Sequence, residues 1–401
     1  MTGYIGSELL NEHSHIIREG IKREQEKLLA PNKRKSDTSL RRFTVREASE
    51  HLKLNYNTLR HHLKNIEGMP AGIMEPGNRR TFSAEEMHQI QDILFNSGKI
   101  PLNQYPKKGD DDQAAIIAVY NLKGGVAKTS LCGNIATALA LRGSRVLVID
   151  LDPQASISDL FDIQPDLDGF PSIYDVLKHD DPVPMSEAIS GTYFPNIDFV
   201  GGSLNMTEFE FEISATYMSG QERSTPWHRK ISSALRPIQQ HYDVILFDTP
   251  PHLSFAVIAA VFASNAMLIP VSTGMLDIVS LEKFLDLGSS TLGVVEQHEP
   301  DKRYNFIKYV LTKYSPHDAS ELQISSFLRS QLGPNMLRTD FIKSTAVTDA
   351  GITMQPVLEV GPSNFNRKTY ERIYECIRGI ADEIEEEMMK SWGREPVKGG
   401  V

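Results

Sequence analysis

The feature that most constrains this chain is an apolar run that leads directly into a glycine-rich loop and a helix start, over residues 116–130. The apolar run, Ile-Ile-Ala-Val-Tyr, predicts a buried parallel strand. Gly124 and Gly125 let the backbone curl so that successive N–H groups point at one anion, and the following helix adds its positive end. In such a loop Lys128 neutralises phosphate charge and the Thr129 hydroxyl ligates Mg²⁺. The pattern therefore predicts a cradle for a polyphosphate in an α/β fold.

The loop departs from the ordinary G-x-x-x-x-G-K-[ST] pattern, because the first glycine is missing and an extra lysine, Lys123, stands two residues before Gly125. The segment Lys-Gly-Gly-Val-Ala-Lys-Thr resembles the deviant P-loop, K-G-G-x-x-K-[ST], of the ParA/MinD class of ATPases. The resemblance implies an ATP/ADP site in a homodimer, in which the extra lysine reaches the nucleotide of the partner subunit. The expected nucleotide-binding residues are Lys123, Gly124, Gly125, Val126, Ala127, Lys128, Thr129 and Ser130.

Two further motifs argue against the alternative of a simple glycine turn with two surface lysines. An apolar strand at residues 146–149 delivers Asp150 and Asp152 to its C-terminal end, where ligands bind in open α/β sheets. The string Asp-Leu-Asp-Pro-Gln resembles a motif of the same class, which implies that Asp152 orients the attacking water and Asp150 supports the Mg²⁺ shell. Another apolar strand, residues 244–247, ends on Asp248, which is placed as a metal-binding carboxylate.

The resemblance extends in order and spacing from about residue 114 to residue 392 and includes a fourth buried strand at residues 266–271. It implies a P-loop, doubly wound, mostly parallel sheet, with Lys123, Lys128 and Asp152 as the catalytic residues. Thr129, Asp150 and Asp248 are the expected metal site.

Composition limits the remaining choices. The chain of 401 residues is long enough for two domains. Its two cysteines favour a reduced, cytoplasmic protein without disulfides. There is no signal peptide and no stretch of ~20 apolar residues that could span a bilayer, so no membrane partner is expected. Residues 1–109 hold 18 Lys and Arg against 13 Asp and Glu, whereas the rest holds 24 against 39. A basic N-terminal part on an acidic body is a cue for nucleic acid.

The N-terminal hundred residues predict a helix and a DNA-binding module. Residues 5–30 predict one helix with a narrow apolar stripe of Leu10, Ile17, Ile21 and Leu28. Such a helix needs a partner, either a second copy or its own domain. Residues 44–65 read as a helix-turn-helix, with a capping box of Thr44 and Glu47 and a second helix capped by Asn55. Its outward residues are of types that read a groove or contact phosphates: Asn57, Thr58, Arg60, His61 and Lys64. The alternative is a helical hairpin with a solvated basic face.

Residues 72–82 predict two short strands around a Pro-Gly-Asn turn, followed by a capping box at Ser83. The whole module resembles a winged helix-turn-helix, with Arg79 and Arg80 on the wing. Lys343 fits loosely a class position that contacts DNA non-specifically, and a solvated lysine is the alternative. The predicted divisions are a helix at 1–31, the module at 40–97, a linker at 98–112, the ATPase domain at 113–392 and a flexible tail at 393–401.

Taken together, the resemblance implies a larger ParA-type partition protein of bacterial plasmids or prophages. Such a protein hydrolyses ATP with Mg²⁺, binds DNA non-specifically as an ATP-dependent dimer, and associates with the nucleoid. A centromere-binding ParB-type partner stimulates hydrolysis, and the N-terminal module represses the partition operon. A MinD-like membrane-associated division ATPase needs a basic C-terminal helix. The last helix of this chain is instead predicted to bury a stripe of Tyr370, Ile373, Ile377, Ile380 and Ile384 and to present a strongly acidic outer face that includes Glu383 and Glu385. A relative of the nitrogenase iron protein needs cluster-ligating cysteines near the dimer axis. Neither of the two cysteines, Cys132 and Cys376, suits that role. A nucleotide-switched transcription regulator stays open.

Overall fold

The computed structural model describes residues 11–17, 19–20, 23, 40–219 and 225–395. Most of the predicted N-terminal helix and most of the predicted tail lie outside these residues. Residues 11–17 are helical, and Ile17 of the predicted apolar stripe is exposed.

Residues 40–97, called here the N-terminal part, combine three helices with a small antiparallel sheet of order β1-β3-β2. Its elements are β1 Phe43–Thr44, α1 Val45–His51, α2 Tyr56–Asn65, β2 Ile73–Glu75, β3 Arg79–Phe82 and α3 Ala84–Asn96. Both predicted capping boxes are present, Thr44 with Glu47 and Ser83 with Glu86. Lys53, in the turn between α1 and α2, has a left-handed backbone with φ 54°.

An eight-stranded sheet forms the centre of the larger part, in the order β11-β10-β9-β4-β8-β5-β7-β6. Its strands are β4 Ala115–Val119, β5 Val146–Asp150, β6 Ser190–Gly191, β7 Ile197–Val200, β8 Val244–Asp248, β9 Ala266–Ser272, β10 Phe306–Tyr314 and β11 Phe341–Ile342. Neighbouring strands run parallel except for β6 and β7. The predicted doubly wound, mostly parallel sheet is confirmed.

Helices cover both faces of this sheet, and every residue of the central strands β4, β5 and β8 is buried as a result. They are α4 Lys128–Leu141, α5 Ser156–Leu160, α6 Pro165–Asp168, α7 Ile173–Leu177, α8 Met185–Ala188, α9 Met206–Ser219, α10 Lys230–Leu235, α11 Phe255–Ala263, α12 Met275–His298, α13 Ala319–Leu332, α14 Thr345–Ile352, α15 Val357–Val360 and α16 Arg367–Ser391. One core lies under α4 and α16 and continues into the N-terminal part, and another lies under α10 and α11. Among the described helices none is long and apolar enough to cross a membrane.

The segment predicted as a linker is packed against both parts of the molecule. Ile100 is buried, and the Tyr105 ring stacks on Phe95 with centroids 3.9 Å apart. The Lys108 N–H donates to Asp243, a buried residue just before β8. The connection therefore fixes the N-terminal part on the body through side-chain and backbone contacts.

Helix α16 has the predicted apolar stripe, and all five of its members are buried: Tyr370, Ile373, Ile377, Ile380 and Ile384. The sequence placed Glu383 and Glu385 on the outer face, and that prediction is wrong, because they are 7% and 3% exposed. Glu383 accepts from the Arg338 N–H at 2.7 Å, and Glu385 accepts from Arg142 at 3.1 Å. Partner cations from other elements make their burial possible.

Candidate nucleotide site and DNA-facing module

The glycine loop lies between β4 and α4, at the C-terminal edge of the sheet. Gly125 and Ala127 both have left-handed backbones, with φ of 75° and 65°. A positive φ is uncommon outside glycine, so the position of Ala127 directly before α4 marks a tightly shaped turn. Gly124 and Gly125 are exposed, and a Cβ on Gly125 would meet no atom within 4 Å. The backbone N–H groups of this loop are therefore accessible to an anion.

Lys128 is the buried cation of this loop, 6% exposed. Its ammonium donates to the Lys123 carbonyl at 3.2 Å, which folds the side chain back over the loop. Burial lowers the pKa of Lys128, while Asp248 and Asp152 act in the opposite direction. A lysine held in this way is positioned to neutralise phosphates seated on the loop.

Lys123 is held by its own subunit at both its backbone and its side chain. Its N–H donates to the Asn121 side chain at 2.9 Å, and Asn121 in turn donates to the Pro270 carbonyl at 2.7 Å. The Lys123 ammonium forms an ion pair with Asp277, in the first turn of α12. Asp277 also accepts from the Ser272 hydroxyl at 2.5 Å. The reach of Lys123 to a partner subunit stays a prediction.

Two buried carboxylates stand side by side where β5 and β8 end. Asp150 and Asp248 are paired in register, and both are 0% exposed. Burial raises the pKa of Asp248 to about 7, and the hydroxyl of Thr129 opposes that effect. No donor among the described residues makes a well-formed hydrogen bond to either Asp248 oxygen, although the Thr129 hydroxyl and the Thr249 N–H lie close enough to favour its charged form. A buried, unpaired carboxylate beside a hydroxyl fits a hard cation such as Mg²⁺, which takes oxygen ligands.

Asp150 differs from Asp248 because its oxygens already have donors. It accepts from the Ser158 hydroxyl at 2.7 Å and from the Asp152 N–H at 3.0 Å. The Ser158 hydroxyl also accepts from the Gly202 N–H at 3.1 Å. Asp150 therefore shapes the loop that carries Asp152, and Asp248 is the better placed of the two for direct metal binding. Asp152 is partly exposed beside them.

Comparison with known proteins agrees with this geometry. Residues 114–291 match a family model described as an AAA domain. The chain is 34% identical to the "Putative replication protein A" of Rhizobium rhizogenes over 389 residues, which cover 96% of this chain and 95% of that protein. It is 27% identical over 245 residues to the chromosome partitioning protein ParA of Caulobacter vibrioides, covering 61% of this chain and 86% of ParA.

The chain belongs to the ParA-type family of partition ATPases. A solved structure described as "Partition Protein" has the same fold, with a TM-score of 0.59 at 16% identity over 95% of this chain and 98% of that one. The glycine loop and the strand ends that carry Asp150, Asp152 and Asp248 all lie within the AAA match.

In this ParA-type chain, α2 presents the predicted DNA-contacting residues on its outer face. Its inner residues Leu59 and Leu63 are buried, and the outward set is exposed: Asn57, Thr58, Arg60, His61 and Lys64. The Arg60 guanidinium lies 5.5 Å from the centroid of the Tyr56 ring. The five side chains therefore share one accessible surface.

The two wing arginines have different surroundings. Arg79 is exposed and lies 3.9 Å from Glu75. Arg80 donates to the carbonyls of Pro70 and Ala71 at 2.9 and 2.7 Å, so it braces the wing from within. Of the two, Arg79 is the better placed to meet a DNA backbone.

Lys343 lies away from the module's exposed helix, in the turn between β11 and α14, and it is exposed. It lines a small cavity of about 200 Å³. The other lining residues are Ile342, Ser344, Thr345, Thr369 and Arg372. The structure therefore does not bring Lys343 into the phosphate loop.

Sequence reasoning missed three residues that hold the site together: Asn121, Ser158 and Asp277. A polar residue directly after a buried strand is a usable signal, and it could have found Asn121. Ser158 and Asp277 lie within the first turns of α5 and α12, where no motif marks them, so their contacts come from tertiary structure alone.

Proposed function

We propose that this ParA-type chain hydrolyses ATP with Mg²⁺ and acts in DNA partition as an ATP-dependent dimer. The observation that carries the proposal is the burial of Lys128 and of the Asp248 carboxylate, which accepts no well-formed hydrogen bond among the described residues, beside an accessible glycine loop. Lys128 and the loop N–H groups would hold the phosphates, while Thr129 and Asp248 would hold the metal. Bound Mg²⁺ would supply charge neutralisation on the phosphates, and Asp152 would place the attacking water.

The proposed dimer depends on Lys123. Its ion pair with Asp277 occupies the ammonium within one subunit, so a role across the two-fold axis requires Lys123 to exchange Asp277 for a phosphate on the partner's nucleotide. Each site would then be complete only in the dimer. The Lys123 side chain is 34% exposed, so it can make that exchange without unfolding its surroundings.

DNA binding would have two parts. The ATP-bound dimer would bind DNA non-specifically, with Lys343 among its contacts, and a centromere-binding ParB-type partner would stimulate hydrolysis. The N-terminal module would bind an operator through α2 and the wing and repress the partition operon. The exposed basic set on α2, together with the excess of Lys and Arg in residues 1–109, supports this part.

Asp152→Ala tests the chemistry separately from binding. Loss of a water-orienting carboxylate should lower phosphate release by ~10²–10⁴, while the affinity for a fluorescent ATP analogue stays near that of the wild type. Asp180→Ala is the matched control, because the Asp180 side chain is 98% exposed. Full phosphate release by Asp152→Ala would contradict its role, and wild-type protein that binds no ATP with Mg²⁺ would contradict the whole proposal.

A further inference from the structure

Helix α9 presents an apolar face to solvent. Leu204, in the turn before α9, and Phe211 and Met218 along it are 62%, 75% and 90% exposed. They follow one another at intervals of seven residues, so they lie on one side of the helix. Ala215 is also exposed and completes a 4-3 spacing between Phe211 and Met218. These four residues are called here the α9 stripe.

The opposite face of α9 is already used by the core. Met206, Phe209 and Ile213 are buried in the core that lies under α10 and α11. The α9 stripe is therefore a second apolar face on a helix that is packed in place. Large apolar side chains grouped on an exposed face mark an interaction site.

Carboxylates flank the α9 stripe. The Tyr174 hydroxyl lies 3.1 Å from Glu208 and 2.9 Å from Glu212, so both acidic side chains are held beside the stripe. Glu212 also accepts from the His179 N–H at 2.9 Å, and the exposed Asp181 follows two residues later. This acidic rim is complementary to a cationic partner.

The lysines next to the rim are engaged within the body. Lys178 forms an ion pair with Asp175 at 3.3 Å, and the Lys230 ammonium donates to the Leu177 carbonyl. Each of them therefore has an acceptor on its own body.

Charge and spacing together select the occupant of the α9 stripe. DNA and anionic lipid carry the same sign as the rim, and a second α9 would bring a like-charged rim against it, which is unfavourable. Residues 5–30 of this chain hold five Glu against four Lys and Arg, so they supply no net positive charge. A 4-3 apolar spacing is the seam that packs against another helix. The chemistry that fits is a cationic amphipathic helix.

Helix α9 contacts the segment that follows Asp248. The Glu210 carboxylate accepts from the N–H groups of Phe255 and Ala256 at 2.8 and 3.1 Å. These are the first residues of α11, where a negative charge is stabilised by the positive end of the helix. Residues 248–254, between β8 and α11, are therefore fixed at their far end by a side chain of α9.

The chain just before α9 contacts the loop that carries Asp152. The Gly202 N–H donates to the Ser158 hydroxyl at 3.1 Å, and that hydroxyl donates to Asp150 at 2.7 Å. A Cβ on Gly202 would lie 2.8 Å from the Asp152 carbonyl oxygen, so there is no room for a side chain between them. A shift of α9 would therefore act on both carboxylate loops.

We propose that the α9 stripe binds a cationic amphipathic helix of a partner protein, and that this binding raises ATP hydrolysis through the loops of Asp152 and Asp248. The effect on hydrolysis rests on the proposed function, whereas the binding itself needs no nucleotide. The proposal places the contact of the stimulating partner on the ATPase body, outside the DNA-facing module.

Fluorescence anisotropy on the full chain tests the binding. The probe is a synthetic helical peptide of about 18 residues, or five turns, with leucine at 3-4 spacing and lysine at the other positions. It should bind the wild type, and Phe211→Ser should weaken binding by about tenfold or more because it removes a central apolar contact. Phe327→Ser is the matched control, since Phe327 is an exposed phenylalanine on α13, and it should bind as the wild type does. A peptide with glutamate in place of lysine should bind about tenfold or more weakly.

Phosphate release with Mg²⁺ and ATP tests the effect on hydrolysis. The lysine peptide should raise release by the wild type and by Phe327→Ser by about fivefold or more, the lower end of typical coupling, and Phe211→Ser should lose this response.

Equal binding of the two peptides, an equal loss of binding in both serine variants, or binding that leaves phosphate release unchanged would overturn the proposal. Self-association of the wild type that Phe211→Ser abolishes in sedimentation would also overturn it, because the occupant would then be a second copy. If the chain released no phosphate at all, the ATPase proposal would fail, while selective binding in the titration would still support the α9 surface.

Discussion

At the scale of single residues, burial decides the chemistry of the site. Lys128, at the start of α4, and Asp248, at the end of β8, are both buried, yet they differ in the hydrogen bonds that their polar atoms make. The Lys128 ammonium donates to a carbonyl, whereas neither Asp248 oxygen accepts a well-formed hydrogen bond among the described residues. A buried carboxylate without donors is costly, so this position is the one that a cation would stabilise most.

Lys128→Gln should lower phosphate release by ~10² or more, because it removes a point charge that stabilises charge developing on the phosphates. Glutamine keeps much of the side-chain length, so folding should be retained. Lys313→Gln, at an exposed lysine, is the control. Measured turnover equal to that of the wild type would show that this loop does not hold the reacting phosphate.

Asp248→Asn should make stability less dependent on pH. Burial raises the pKa of Asp248 from 3.8 to about 7, so between those values the folded chain keeps a proton that the unfolded chain releases. The stability from this group is fully present below the unfolded pKa and is lost as the pH rises toward 7. Relative to wild type, the variant should therefore gain stability over that range, by at most about 4 kcal/mol at 1.36 kcal/mol per pKa unit.

Urea unfolding at several pH values without nucleotide measures this difference. With Mg²⁺ and ATP the order should reverse, because ligand that binds only the folded wild type stabilises it. A difference that does not vary with pH would mean that Asp248 is already ionised in the folded chain.

At the scale of elements, local sequence signals and tertiary contacts act on the same helices. The Thr44 hydroxyl accepts from the Glu47 N–H at 3.2 Å, and Glu47 accepts from the Thr44 N–H at 2.8 Å. Glu47 also forms an ion pair with Arg41 at 2.8 Å. Helix α1 is therefore fixed at its start by a cap and, through the turn that follows it, by the ion pairs of Lys53 with Asp382 and Glu385 on α16.

Thr44→Ala and Thr58→Ala should separate folding from DNA binding. Loss of an N-cap typically costs about 1 kcal/mol, so Thr44→Ala should lower the stability of the module by that amount. Thr58 is exposed on α2, so its replacement should leave stability unchanged and weaken binding to duplex DNA. Thermal unfolding and a DNA-binding titration of both variants measure the two effects. If Thr58→Ala lowered the stability of the module, Thr58 would not be a solvent-facing residue of α2.

At the scale of the whole molecule, one continuous hydrophobic core joins the N-terminal module to the ATPase body. The charge is nevertheless divided, with the basic excess in the first 109 residues and the acidic excess in the rest. Phosphate contacts release counterions from DNA, so binding through the basic part should weaken steeply as salt rises. Several acidic residues of α16 form ion pairs with Lys53, Arg142 and Arg338.

Turnover per subunit should rise with protein concentration if Lys123 completes the partner's site, because the competent species is then a dimer. Mixing Lys123→Ala with Lys128→Gln should restore part of the activity, since one of the two sites in that heterodimer carries neither change. Phosphate release across a dilution series and in mixtures measures both effects. If Lys123→Ala alone kept full activity, or if turnover did not depend on protein concentration, the protein would act as a monomeric P-loop ATPase.

The sequence by itself determined the strands, the loop and the helix starts, because these depend on patterns of residues close in the chain. The strand predicted at residues 244–247 is observed as β8, Val244–Asp248. The capping boxes at Thr44 and Ser83 needed only residues three apart. The places of Lys128, Asp150 and Asp248 follow from parallel strands, whose carboxyl ends share one edge.

Only the tertiary structure decided what the charged residues do. Glu385 looked solvent-facing from its helical position, but Arg142 and Lys53, more than 240 residues earlier in the chain, make it a buried partner. Lys123 likewise lies on Asp277, over 150 residues later. Helical periodicity reports which side of a helix is apolar, whereas the cost of burying a charge depends on which opposite charge the fold brings beside it. That second quantity has no local signature in the sequence.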